Sequence, residues 1–148
     1  MLMPKKTKFR KSQRGRLTGR SKGARTVFFG DYGLVALESI WLTARQIEAM
    51  RITVNRKLKK IGESFLRVFP DKPISKKPAE TRMGKGKGGT EFWVAPVKRG
   101  RVIVEIKGDF GLDVAKEILQ AAAYKLPLKT KLIVKESLQP VAPTKMPE

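Results

Sequence analysis

Apolar residues recur along this chain in two rhythms. Ile47, Met50, Val54, Leu58 and Ile61 follow one another at steps of three and four, which places them on one face of a helix. Thr43-Ala44-Arg45-Gln46 opens that helix in capping-box form, with a Thr hydroxyl to accept a backbone N–H and Gln46 three residues on. Gly62 stands where a C-cap glycine belongs. A second helix is expected over 112–125, with Leu112, Ala115, Ile118, Leu119 and Ala122 inward and Pro127 closing it. Elsewhere the pattern is that of strands. Thr26 to Gly30 and Leu34 to Ile40 flank a turn at Asp31-Tyr32-Gly33, and Phe65 to Phe69 alternates until Pro70 and Pro73 end it. Glu91 to Val97 and Arg101 to Lys107 predict a hairpin through Lys98-Arg99-Gly100, with Pro96 marking the first strand as irregular or at an edge. Thr130 to Glu136 is a last strand, and Lys72 to Pro78 reads as a connection rich in Pro and Lys. Strands outnumber helices without a repeating β-α-β order. The fold class is therefore α+β, two helices packed on a mostly antiparallel sheet.

Charge changes the picture. The 148 residues suffice for one domain, but 33 Lys and Arg against 13 Asp and Glu leave a net charge of +20. Such a chain repels itself and calls for a polyanionic partner. Lys5, Lys6, Lys8, Arg10, Lys11, Arg14, Arg16, Arg20, Lys22 and Arg25 lie within residues 1–30, where no acid occurs, so half the net charge sits there. Residues 1–30 are expected to be a basic RNA-binding arm, 31–136 the core and 137–148 a disordered tail rich in Pro. Arg45, Arg51, Arg56, Lys57, Lys59 and Lys60 crowd the polar face of the first helix with Glu48 as its sole acid, a balance that favours phosphate contact. With no Cys and no His, disulfides, thiolate zinc sites, thiol nucleophiles and Ser-His-Asp arrangements are excluded. No apolar run reaches the roughly 20 residues of a membrane span, and the first residues lack a signal peptide's apolar stretch. No membrane partner, cofactor, metal or small-molecule substrate is expected.

Residues 82–89, Arg82-Met83-Gly84-Lys85-Gly86-Lys87-Gly88-Gly89, form the most informative segment. Its glycines let the backbone approach a partner closely, while Lys85 and Lys87 supply point charges for phosphate and Arg82 a rigid fork. Gly84, Gly86 and Gly89 also spell G-x-G-x-x-G, but a dinucleotide-binding turn opens a helix and a strand follows here. Asp109-Phe110-Gly111 spells the D-F-G of kinases, yet no H-R-D loop exists without His. Glu38, Asp71, Glu80, Glu91, Glu105 and Asp109 are scattered and read as salt-bridge partners rather than acid–base pairs. Catalysis is not expected. Composition alone leaves a DNA-compacting protein as a rival, and the two nucleotide motifs leave a small nucleotide-dependent enzyme as another.

Five segments in order narrow the choice: residues 1–11 (MLMPKKTKFRK), 42–49 (LTARQIEA), 67–73 (RVFPDKP), 78–88 (PAETRMGKGKG) and 125–130 (KLPLKT). In these the chain resembles the bacterial-type large-ribosomal-subunit protein sixteen family. That resemblance implies a hammerhead-like α+β sheet and a structural, non-enzymatic role. It implies binding to large-subunit ribosomal RNA beside the aminoacyl-tRNA (A) site, near the peptidyl-transferase centre. The implied partners are that RNA, A-site tRNA with P-site tRNA as a further candidate, and neighbouring large-subunit proteins. On this basis Lys5, Lys6, Lys8, Arg10 and Lys11 grip ribosomal RNA, while Arg82, Met83, Gly84, Lys85, Gly86, Lys87 and Gly88 face the tRNA. Phe65 and Ser64 depart from the family's usual Trp and aliphatic residue, and residues 50–56 are less typical. The family-like start at Met1 suggests a bacterial cytoplasm or synthesis inside an organelle.

Overall fold

The computed structural model describes residues 2–138. Most of the tail expected over 137–148 thus lies outside the described residues; its start belongs to a short 3-10 turn, Glu136–Leu138. Seven strands and two α-helices follow in the order β1 (Tyr32–Ala36), β2 (Ile40–Thr43), α1 (Ala44–Leu58), β3 (Gly62–Leu66), β4 (Lys72–Ser75), β5 (Thr90–Val97), β6 (Val102–Gly108), α2 (Leu112–Ala123) and β7 (Thr130–Val134). They build two sheets, not one. The larger has the order β3-β6-β1-β7 and the smaller β2-β5-β4, with every pairing antiparallel. The α+β class holds.

The sequence-expected hairpin of Glu91–Val97 with Arg101–Lys107 does not form, because these strands belong to different sheets. β1 pairs with β6 and β2 with β5, so two long chain segments run side by side and bend together from one sheet into the other. Gly100 N–H donates to the Ala36 carbonyl at 2.6 Å, Ala36 N–H to Arg101 at 2.9 Å, and Arg99 N–H to the Ser39 hydroxyl at 3.0 Å. The Gly100 backbone, at φ 86°, makes a bend where the turn signal suggested a reversal. The same bend divides the run expected from Leu34 to Ile40 into β1 and β2. The stretch from Lys72, expected as a connection, supplies β4 despite Pro73. Pro96 sits in the central strand β5, but beyond the last residue paired with β4, so only Trp41 of β2 faces it.

Both helices cover one face of the larger sheet. Thr43 caps α1 as the sequence indicates, with Gln46 N–H donating to its hydroxyl and Thr43 N–H to the Gln46 side chain. Ile47, Met50, Val54 and Leu58 are buried, but α1 ends before Ile61, which is exposed. Lys59, at φ 48°, occupies the C-cap in place of Gly62. Gly62 opens β3 and is needed there for another reason: a Cβ on it would lie 2.5 Å from the Lys107 carbonyl oxygen. On α2, Ala115, Ile118, Leu119 and Ala122 are buried while Leu112 is exposed, since the helix begins there.

Thr26 to Gly30 is not a strand. It crosses the face of the larger sheet that the helices leave open. Val27 is buried, its Cγ2 standing where a Cβ on Gly33 would meet it at 2.8 Å. The N–H groups of Phe28, Phe29 and Gly30 all donate to one carboxylate oxygen of Glu105, at 3.1, 2.7 and 2.8 Å. Arg67 pairs with the other oxygen of this fully buried side chain. These donors find their acceptor in a side chain, so no ladder partner is required.

Candidate nucleic-acid interface

Residues 2–30 contain no helix and no strand longer than the isolated Arg20–Arg99 bridge. They are nevertheless attached at many points. Leu2 packs against the main apolar cluster, and Pro4, Lys8, Phe9 and Ser12 border a cleft of about 500 Å³ with Asp71, Lys72 and Pro73. Ser21 N–H donates to Arg99 at 3.0 Å and Val102 N–H to Ala24 at 2.7 Å, which fixes the later part to the sheet-to-sheet bend.

The glycine–lysine loop joins β4 to β5 and so stands at the end of the smaller sheet. Lys76 N–H closes its neck by donating to the Gly89 carbonyl at 3.1 Å. Gly84, Lys85 and Gly86 have φ of 99°, 56° and 92°, three consecutive left-handed residues that glycine makes cheap at the two flanking positions. Arg82, Met83, Lys85 and Lys87 are exposed, and with Lys77 the loop borders a cleft of about 550 Å³.

Arm and loop meet. Lys11 Nζ donates to the Lys87 carbonyl at 2.7 Å, Lys87 Nζ returns a bond to the Ser12 carbonyl at 2.6 Å, and the Thr90 hydroxyl donates to Arg10 at 3.0 Å. Lys72 Nζ donates to the Arg14 carbonyl at 2.5 Å and lies 4.5 Å from the Trp41 ring centroid; Lys77 bonds the Gly84 carbonyl. Every acceptor in this lacing is a neutral carbonyl. Among the described residues no ion pair involves Lys5, Lys6, Lys8, Arg10, Lys11, Arg14, Arg16, Arg82, Lys85 or Lys87, so their charges remain uncompensated.

The helix cations fall elsewhere. No hydrogen bond or ion pair joins Arg45, Arg51, Arg56, Lys57, Lys59 or Lys60 to the arm or loop among the described residues. Arg51 is committed to Glu48 at 2.6 Å, and Lys57 to Glu117 on α2. The Arg51 hydrogen bond holds the Glu48 carboxyl below its ordinary value, and the Lys57 hydrogen bond does the same for Glu117. Arg45, Arg56, Lys59 and Lys60 are exposed and carry no ion pair among the described residues. Sequence reading missed Lys72 and Lys77, whose signal was a Lys-rich stretch assigned to a connector, and Ser12 and Thr90, which carry no signal of their own.

No cluster of acidic side chains suited to hold a metal occurs among the described residues, and no helix there is long and apolar enough to cross a membrane. Comparison with known proteins fits this arrangement. The chain is 54% identical over 138 residues to "Large ribosomal subunit protein uL16" of Heliobacterium modesticaldum, covering 93% of this chain and 95% of that one. It is 54% identical over 136 residues to "Large ribosomal subunit protein uL16c" of Gracilaria tenuistipitata, covering 92% of this chain and 100% of the relative. Residues 4–133 match the pattern of ribosomal protein L16p/L10e, a span that takes in most of the basic N-terminal segment, nearly all of both sheets and the glycine–lysine loop, and the chain belongs to that family.

Proposed function

We propose that this protein is a structural, non-catalytic component of the large ribosomal subunit. It binds large-subunit ribosomal RNA through its arm and helps shape the aminoacyl-tRNA site with its glycine–lysine loop. One observation carries this reading: arm and loop are laced together by Lys11, Lys87 and Thr90, which donate to neutral backbone carbonyls and leave the lysine charges without an acidic partner. A backbone carbonyl brings no neutralising charge, so these lysines are left for phosphate, and a polyanion neutralises them while counterions leave. Folded RNA is recognised largely through backbone and shape, which suits many cations spread over an irregular segment. Lys5, Lys6, Lys8, Arg10, Lys11, Arg14 and Arg16 are the ribosomal-RNA contacts, with Arg45, Arg56, Lys59 and Lys60 a second, separate patch. Arg82 to Gly88 face tRNA. The naming of relatives as large-subunit proteins, one from a bacterium, supports a ribosomal setting in a bacterial cytoplasm or an organelle.

The test is replacement of Lys85 and Lys87 by Ala in the full chain, followed by assembly into large subunits. Incorporation should stay near the unmodified level while aminoacyl-tRNA binding to the purified ribosomes weakens about tenfold or more, as expected when phosphate contacts are lost. Normal tRNA binding together with failed incorporation would reject the loop assignment.

A further inference from the structure

The segment lying over the open face of the larger sheet presents two phenylalanines outward. Phe28 is 70% exposed and Phe29 51%, although their backbone is pinned to the buried Glu105 carboxylate. The rings are ordered relative to one another. Phe29 stacks on Phe65 with centroids 5.8 Å apart and planes inclined by 27°, and Phe28 meets Phe29 edge to face at 5.1 Å. The Arg67 guanidinium lies 5.0 Å from the Phe29 centroid and is itself held by Glu105. With the backbone held in this way, the two rings lie largely in water, and contiguous exposed apolar surface marks a contact site.

We propose that Phe28 and Phe29 form a stacking site for an unpaired nucleobase. This rests on the reading of the chain as an RNA-binding protein. Charge selects the occupant: the chain enters the platform through Arg20, Lys22 and Arg25, and no acid precedes Asp31. A base splayed out of folded RNA can lay its face on the exposed Phe28 ring while its phosphates meet these cations, the combination by which proteins take up unstacked bases. An apolar side chain of a neighbouring protein would gain nothing from that cationic approach. The backbone that carries the rings is hydrogen-bonded to Glu105 before the base arrives, which lowers the ordering cost of binding.

Large subunits stripped of this protein by high salt, then rebound with purified full-length chain, provide the test. Chemical probing of the RNA reads individual nucleotides. Phe28→Ala should weaken rebinding about 5- to 150-fold, the range for one base–aromatic stack, and leave one or a few unpaired nucleotides newly reactive. Phe28→Trp should keep the protection and Phe28→Leu should lose it. Circular dichroism confirms folding of each variant, and the Leu variant decides if the Ala variant is unstable. Unchanged protection with Leu and Ala, or full rescue by Leu, overturns the proposal, the latter pointing to an apolar protein contact. If even the unmodified chain protects no RNA while remaining folded, the RNA-binding reading falls with it, an outcome distinct from the loss of stacking alone.

Discussion

Glu105 is the residue on which two parts of the molecule depend. In sequence it is one acid among scattered ones, and its salt-bridge role was legible only as a type. The partner Arg67 and the three N–H donors of residues 28–30 are distant along the chain, so no local spacing announces them. The expectation of a strand over Thr26–Gly30 failed for the same reason. Val27 is buried, but the donors go to a carboxylate rather than a neighbouring strand. Replacing Glu105 by Ala strands a guanidinium whose side chain is 18% exposed and removes the acceptor from three N–H groups. Breaking a buried pair in this way costs about 3–5 kcal/mol, which urea denaturation should show. Arg67→Ala should cost less, since the Glu105 carboxylate keeps its three backbone donors. The reverse order would mean that the segment over the sheet is held by packing alone.

At the scale of elements, what sequence revealed is what neighbours determine. Helix α1 begins at the residue its capping box indicates because every group involved lies within four positions. Its end was misplaced because glycine served close approach to Lys107, a contact made across the sheet. The cost falls on Lys59, a non-glycine residue held at φ 48°. Lys59→Gly should relieve this and stabilise the fold by about 1 kcal/mol, measurable as a raised urea midpoint with an unchanged slope. A lower midpoint would show that the lysine side chain compensates its backbone. The β5–β6 turn was misjudged because Lys98-Arg99-Gly100 carries the same local signal for a reversal as for a bend between sheets. Only the pairing of β1–β2 alongside β5–β6 distinguishes them. The candidate loop was readable from glycine and lysine content; its lacing to Lys11 and Ser12 was not, since those residues lie more than seventy positions away.

Across the whole molecule, the same +20 charge acts with opposite sign on stability and on binding. The free chain carries its uncompensated arm and loop cations close together, so lowering ionic strength strengthens their mutual repulsion. The screening length grows from about 8 Å at 0.15 M to about 30 Å at 0.01 M, enough to bring separate patches into mutual range. The thermal midpoint of the isolated protein should therefore rise as salt is added over that interval. Affinity for large-subunit RNA should fall over the same interval, because each phosphate contact returns counterions, with a slope of roughly 0.7–0.9 per contact in log–log form. Removing residues 2–19 separates the two effects. That cut spares Ser21, Ala24 and Val27, which are tied to the bend and the sheet, so the remainder keeps those attachments. It deletes Lys5, Lys6, Lys8, Arg10, Lys11, Arg14 and Arg16 together. The truncated chain should melt with less dependence on salt and bind RNA with a shallower salt slope, by several units if most of those cations reach phosphate. A slope equal to that of the full chain would place the RNA contacts on the α1 patch, the loop and the remaining Arg20, Lys22 and Arg25, and leave the deleted cations without a phosphate to meet.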